Sequence, residues 1–344
     1  MLVIIFYLIL GIFTLAIAVQ VVSENMLKSK KDCYRGSVMV IVPIREVDPN
    51  IAENIISLKN QSYPNYDLIY IADIDDKDTL EVLKKYEVHV ILSENLCKEC
   101  SGKIRAMLTG LHNSDSDAVV FADSDVYYPP NWLEKLVCPL SFRKISTTYA
   151  WPYPLEWSWS NIIRSSIWLL GFEPSFLIPL VWGGSVAMRR EFITNDLEDR
   201  LKHRLCDDCV FTSYAREIRE RVQFVIDAMP VNYFDERDLH NWAGRQVAYT
   251  INYYKDMIIL FLISFIIYSS GIILGIFLLN PFFIFFPLLW TLKNSIRGRK
   301  LYPKSLIISA LSSLLFFSVL YYIIESRRQK TIKWRGNEYE KENI

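Results

Sequence analysis

The stretch "VVFADSDVYYPPNW" (119–132) runs through apolar residues and Ala122 into two carboxylates, Asp123 and Asp125. A short β-branched and aromatic run closed by turn residues reads as a buried strand. Acids at the end of such a strand are turn punctuation, since Asp is common in turns, or they hold something positive. The surrounding sequence weighs between the two.

Upstream the same pattern repeats. "SVMVIVP" (37–43) is a β-branched run stopped by Pro43, the signature of a buried parallel strand, and "IAENIISLKNQSYP" (51–64) has helical spacing at Ile51, Ile55 and Leu58. "YDLIYIADIDDKD" (66–78) is a second strand running into an acidic loop with Asp73, Asp75 and Asp76. "TLEVLKKY" (79–86) is helical, "EVHVIL" (87–92) is a third strand, and "GKIRAMLTGLHN" (102–113) is a helix before the fourth strand. Strand alternates with helix, which predicts an α/β domain with ligand-type residues at the carboxyl ends of strands, where open α/β sheets bind ligands. Several carboxylates on one sheet edge repel unless a cation intervenes. Asp123, Ser124 and Asp125 offer oxygen ligands to a hard divalent ion, Mg²⁺ or Mn²⁺, that keeps open positions for phosphate oxygens. Lys103 follows Ser101 and Gly102 at the start of a helix, where it either meets a phosphate or is a solvated surface lysine.

Downstream, "VWGGSVAMRR" (181–190) puts Gly183 and Gly184 where backbone approaches a ligand closely. "LCDDC" (205–209) sets Asp207 and Asp208 in a partly apolar context ahead of a helical segment. A partly desolvated carboxylate there suits a general base for a hydroxyl, while acids at a helix start also offset the helix dipole. "HNWAGRQ" (240–246) brings Trp242 and Arg245 together, a pair suited to stacking and to an anionic leaving group.

The 344 residues are 51% apolar, unevenly spread. Residues 1–22 carry no charge and span roughly 33 Å as a helix, one bilayer core. Residues 257–292 are almost entirely apolar except for Asn280, and 305–324 form a third uncharged run. A cleaved signal is the rival reading of the N-terminus, with "AIA" at 16–18 as its site. No positive charge precedes the run, however, and Lys28, Lys30, Lys31 and Arg35 follow it, which favours a retained anchor with the soluble domain on the cytoplasmic side. The basic groups at 293–304 and at Arg327, Arg328, Lys330, Lys333 and Arg335 cannot both be cytoplasmic if 305–324 crosses as a simple span. Net charge is zero, so no basic field calls for nucleic acid. The segment 151–182 holds five tryptophans among aliphatic residues and prolines, unusual for a cytosolic loop, which fits a surface at the bilayer interface better than a hydrophobic core segment. Cys97/Cys100 and Cys206/Cys209 form two C-x-x-C pairs, with Cys33 and Cys138 left over. Their separation in sequence favours independent thiols over a shared zinc site, and a cytoplasmic location disfavours disulfides.

These motifs, taken in order, resemble membrane-bound family 2/21 glycosyltransferases of the ceramide glucosyltransferase-like group. The resemblance runs from about 36 to 250 and recurs in "TIKWRGNEY" (331–339). It implies a GT-A fold, an α/β nucleotide-diphospho-sugar transferase domain of Rossmann-like type, over 36–250. Flanking it are a transmembrane anchor at 1–22, transmembrane or interfacial helices at 256–324, and a basic tail at 325–344. By the same resemblance, Pro43, Ile44, Asp73 or Asp75, Lys103 and Asp123 lie on the nucleotide-sugar side, and Asp123 and Asp125 bind the metal. Trp182, Gly183, Gly184, Asp207, Trp242 and Arg245 lie on the acceptor and diphosphate side, with Asp208 the catalytic base. The family's closing Gln/Arg-x-x-Arg-Trp appears as "DLHNW": Trp242 is kept, Asn241 stands where Arg is expected, and Arg245 lies one turn on. The implied activity is transfer of a glucose-like sugar, with inversion, from a UDP-sugar to a hydroxyl of a membrane lipid, with Mg²⁺ or Mn²⁺ as cofactor. A polyprenyl-phosphate glycosyltransferase, a polysaccharide synthase and a non-catalytic membrane protein keeping the fold are the alternatives.

Overall fold

The structure, a computed structural model, describes residues 1–26, 32–173, 180–299, 304–326, 331–334 and 337–340. Lys28, Lys30, Lys31, Lys300, Arg327, Arg328, Lys330 and Arg335, on which part of the charge reading rests, lie outside the described residues. The chain divides into two compact units. One comprises Met1–Leu27, Pro152–Phe176 and Phe234–Ile332, and the other Lys28–Trp151, Leu177–Tyr233 and Lys333–Ile344.

The second unit is built on strands β1 (Val38–Ile44), β2 (Tyr66–Ala72), β3 (His89–Leu92) and β4 (Ala118–Ala122). The short strands β5 (Val126–Tyr127), β6 (Ile145–Thr147), β7 (Trp151–Pro154), β8 (Ser185–Arg189), β9 (Gln223–Phe224) and β10 (Val231–Phe234) follow in the chain, of which β7 and β10 run across the boundary of the two units. A seven-stranded sheet runs in the order β3-β2-β1-β4-β8-β6-β9. β1 and β4 are buried at every residue, as their unbroken apolar runs require of central strands. β3 lies at the edge and is half-exposed. β1 runs parallel to both β2 and β4, and the crossovers are the helices Ile51–Lys59, Lys77–Lys85 and Gly102–His112. These are the elements that the alternating sequence pattern predicts.

β8 breaks the parallel pattern. It pairs antiparallel with β4, from Ala118↔Arg189 to Ala122↔Ser185. The residues just before β8, Gly183 and Gly184, therefore abut those just after β4, beginning with Asp123, whose N–H reaches the Gly184 carbonyl at 3.3 Å. Phe121 stacks on Phe211 at 5.9 Å, so the helix Asp207–Glu217 packs onto the sheet beside that edge.

The cysteines depart from the expectation of independent thiols. Cys33 is joined to Cys138, Cys97 to Cys100 and Cys206 to Cys209. Each C-x-x-C closes on itself across Cα separations of 5.8 and 5.4 Å, ordinary disulfide reach, so neither pair offers thiolates to a shared zinc ion.

The other unit is helical. Leu2–Glu24 and Lys255–Phe277 are each long and apolar enough to cross a membrane. The apolar run from 257 does not continue as one helix. It stops at Phe277, and a separate helix, Phe285–Arg297, follows a 3-10 turn at Pro281–Ile284. The third run is two helices, Ser305–Leu315 and Ser318–Ser326, bent by 61°, so among the described residues two helices are long and apolar enough to cross a membrane, or three spans if the bent pair is one. Phe6, Phe13, Tyr268, Phe286, Trp290 and Phe316 form its aromatic core.

A closed ionic clamp sits within this unit. Arg297 Nε donates to both oxygens of Glu24 at 2.9 Å, and its Nη1 donates to Glu173 Oε1 at 2.9 Å and to Asn294 Oδ1 at 3.0 Å. Lys293 Nζ takes the other Glu173 oxygen and reaches Gln20 Oε1 at 3.3 Å. The tryptophan-rich segment is not one surface. Trp151 and Trp182 are buried, whereas Trp157 and Trp159 are 46% and 70% exposed. Residues 174–179 of that segment lie outside the described residues.

Candidate active site

The site is assembled by two strand ends and two helix starts of the sheet-based unit. Asp123 leaves β4 into a turn that the fold fixes from several sides. Its N–H donates to Tyr128 Oη at 2.7 Å, and that hydroxyl donates to the Gly184 carbonyl at 2.7 Å. Asn54 Nδ2 donates to the carbonyls of Asp123 and Val126 at 2.9 and 2.7 Å, and the buried Tyr70 hydroxyl holds Asn54 Oδ1 at 3.0 Å. Ser124 donates to Asp48 of the "VDPN" segment at 2.6 Å. A carboxylate held by so many backbone bonds is pre-positioned rather than mobile.

Helix Gly102–His112 is N-capped by Ser101, whose Oγ accepts from Ile104 N at 3.3 Å. Its first turn presents Lys103, whose ammonium lies 2.9 Å from Asp123 Oδ1 and 3.1 Å from Asp207 Oδ2. Helix Asp207–Glu217 is capped by Cys206 and presents Asp207 and Asp208 in its first turn. Asp208 Oδ1 accepts from the Gly183 N–H at 2.5 Å. Asp207 is buried, and its Oδ2, though close to Lys103, accepts no well-directed hydrogen bond.

The glycines explain how three acids fit here. A Cβ on Gly183 would collide with Asp207 Oδ2 and Asp208 Oδ1, and one on Gly184 with Asp123 Oδ2. Any larger residue would push the carboxylates apart. Ser185, next in the turn, accepts from the buried Trp132 Nε1 at 2.7 Å, and Thr147 Oγ1 accepts from Trp182 N at 3.1 Å. Backbone and side chains thus lock "WGGS" against the acids.

Burial and the neighbouring Asp207 push the Asp208 carboxyl well above the usual carboxylate range, with Asp123 adding to the rise; Lys103 and the Gly183 N–H pull the other way without prevailing. For Lys103, burial works against the charged form, but Asp123, Asp207 and Asp208 win and hold the ammonium well above the usual lysine range.

Other residues singled out from sequence stand elsewhere. Asp73, at the end of β2, is held between two arginines: Arg45 Nη1 at 2.5 Å and Arg105 Nη2 at 3.4 Å. Arg45 also reaches Asp75 at 3.5 Å, and Asp76 caps the following helix by accepting from Thr79 N at 3.2 Å. Pro43 and Ile44 end β1, in register with Ile71 and Ala72, beside Asp73. Asp125 lies in the turn after β4, with the Asn232 amide 3.4 Å from its carbonyl. Trp242 and Arg245 belong to the helical unit, on the helix Leu239–Tyr253. There Trp242 is buried, with the Arg164 guanidinium 4.9 Å from its ring. Sequence reasoning passed over Arg45, Arg105, Asn54 and Tyr128. Arg45 was signalled by its place directly after the first strand, and Tyr128 by the aromatic pair following "DSD". Arg105 and Asn54, inside helices, carried no such signal.

The Asp123 and Asp125 carboxylates are hard oxygen donors of the type a divalent cation takes, whereas Asp207 Oδ2 is paired with Lys103. Among the described residues no group of three or more His, Cys, Asp or Glu is placed to hold a metal ion by itself. A Mg²⁺-type ion commonly binds through one or two carboxylates, with substrate phosphates completing its shell, and the donor set fits that pattern.

Comparison with known proteins bears on the fold and the family. The chain is 30% identical over 107 residues to a putative teichuronic acid biosynthesis glycosyltransferase of Bacillus subtilis, covering 30% of this chain and 41% of that relative. The match thus spans less than half the relative's length. The fold is similar, with a TM-score of 0.55 and 16% identity, to a mannosyltransferase from Pyrobaculum calidifontis solved with GDP-Man and Mn²⁺, covering 95% of this chain and 98% of that one. The expected GT-A fold is therefore the observed one. The sequence model described as Glycosyl transferase family 2 matches residues 39–213, half of the chain and every residue of the Lys103 cluster; the chain belongs to that family.

Proposed function

We propose that this chain moves a glucose-like sugar from a UDP-sugar to the hydroxyl of a membrane lipid, with inversion at the anomeric carbon. The observation that carries this reading is the convergence of Asp208, Asp207 and Asp123 on Lys103 at the carboxyl edge of the sheet. Asp208, raised in basicity by burial and by Asp207, takes the proton of the acceptor hydroxyl as its oxygen bonds the anomeric carbon. The bond from that carbon to the diphosphate breaks on the opposite face, and the nucleoside diphosphate leaves. Asp123 and Asp125 would hold Mg²⁺ or Mn²⁺, which when bound neutralises charge on the departing diphosphate. Arg45, Arg105 and Asp73 form the polar rim on the nucleotide side. The apolar helices and the exposed Trp157 and Trp159 support a lipid acceptor and a membrane location; the basic residues that follow residue 22 favour the cytoplasmic side for the catalytic domain, and the three disulfides count against it.

The test is mass spectrometry of lipids formed from membrane extracts with a panel of UDP-sugars. GDP-mannose joins the panel because it is the ligand of the mannosyltransferase sharing this fold. A singly glycosylated lipid, formed by the wild type and lost in Asp208→Ala, is the expected product. Polymer would indicate a polysaccharide synthase, and no product with any donor would indicate a non-catalytic protein.

A further inference from the structure

We propose that Lys103 is the resident cation of this site, holding the Asp123 carboxylate that a divalent metal ion must take, so that metal binding requires the ammonium to give way towards Asp207. This rests on the reading of Asp123 as a metal ligand. Two observations carry it. The ammonium is already at contact distance from Asp123 Oδ1, 2.9 Å, and is itself largely buried. A second carboxylate oxygen, Asp207 Oδ2, lies 3.1 Å away and accepts no well-directed hydrogen bond, so it is open to receive the lysine more fully.

The physics follows from charge. An ammonium and a divalent ion on one carboxylate repel strongly at such separations, more so where water is scarce. Moving a buried ammonium away with nothing to receive it would strand its charge. Asp207, with Asp208 beside it, removes that cost. The lysine therefore acts as a placeholder: it keeps three acids together in the metal-free site and steps onto the base-side pair when the metal enters. It is a positioning residue for the metal and need not touch the sugar.

Mn²⁺ binding to the purified full chain, without nucleotide or acceptor, reads this directly by the loss of the free-ion paramagnetic resonance signal. Lys103→Met is expected to bind Mn²⁺ about tenfold more tightly than the wild type, because the competitor is gone. Asp207→Asn is expected to bind it more weakly, and by a larger factor in the wild-type background than in Lys103→Met, because only with the lysine present does losing Asp207 also keep the ammonium on Asp123. Arg105→Met, which removes a nearby positive charge paired with Asp73 instead, is expected to stay within about twofold. Unchanged or weaker binding in Lys103→Met overturns the proposal, as does an equal gain in Arg105→Met, which would make the effect a general field. If Lys103→Met is not recovered folded, Lys103→Gln takes its place, with the same gain expected and unchanged or weaker binding overturning the proposal. None of these measurements needs sugar transfer, so a failed transfer assay counts against the proposed function alone.

Discussion

Two ionic clusters, one in each unit, show what balance does. In the helical unit, Arg297 and Lys293 meet Glu24 and Glu173, two cations to two anions, with Gln20 and Asn294 filling the remaining positions. The cation side chains there are 2% exposed or less. In the sheet-based unit a single ammonium faces three carboxyls, and one buried oxygen is left without a well-directed hydrogen bond. Burying a charge is tolerated when it is paired and hydrogen-bonded, and is costly otherwise. The balanced cluster is therefore a structural clamp. The unbalanced one is held together at a cost to stability, as functional sites commonly are, and its surplus of negative charge is a reason to accept a cation.

Breaking the clamp should produce the largest change in stability. Arg297→Met leaves Glu24 and Glu173 without their shared guanidinium, and a loss of about 3–5 kcal/mol is expected, seen as a lowered thermal midpoint in detergent. Asp207→Ala, in the unbalanced cluster, should leave that midpoint nearly unchanged or raise it. Equal losses in the two variants would erase the distinction drawn between the clusters.

Next in size is chemistry. Asp208→Asn should lower kcat by about 10²–10⁴-fold with little change in donor KM, the signature of a proton acceptor that acts in the transition state. Arg297→Met, in whatever fraction remains folded, should keep its kcat.

The pH responses are smaller and opposite in sign. Burial raises the Glu173 carboxyl, but Arg297 and Lys293 override it and hold it at about 2, below its ordinary 4.5. A depressed folded-state value means stability that is present above the ordinary value and lost as pH falls towards 2. The thermal midpoint should therefore drop across that window, and Glu173→Gln should flatten the drop. Asp208 is raised, so its protonated form persists above the usual carboxylate range and the transfer rate should fall as pH drops through that raised value. Asp207→Asn removes the largest charge cause of the rise and should move the acid limb of kcat to lower pH. A limb that stays in place would mean that Asp208 is not the group being titrated.

Much of this was readable in the chain. The β-branched runs at 37–43 and 66–72 and the helical spacing between them dictate alternating strand and helix, because side-chain periodicity is local. The long uncharged stretches at 1–22 and 257–277 dictate apolar helices for the same reason. Asp123, Asp207, Asp208, Lys103 and the paired glycines could be picked out as residue types at strand ends and helix starts. The disulfides ran against expectation, because the reading of the cysteines depended on compartment and spacing, and pairing depends on which Cα atoms the fold brings within reach.

Sequence by itself determined the elements, the apolar helices and the candidate acids, since each follows from neighbours a few residues away. Only the tertiary structure decided that β8 runs antiparallel to β4, bringing Gly183 and Gly184 against Asp123. It alone joined Lys103 to both Asp123 and Asp207, held Asp73 between Arg45 and Arg105, and closed Glu24 onto Arg297. Those partners lie tens to hundreds of residues apart. A charge does not encode which opposite charge it will meet; the packing of the sheet and helices makes that choice.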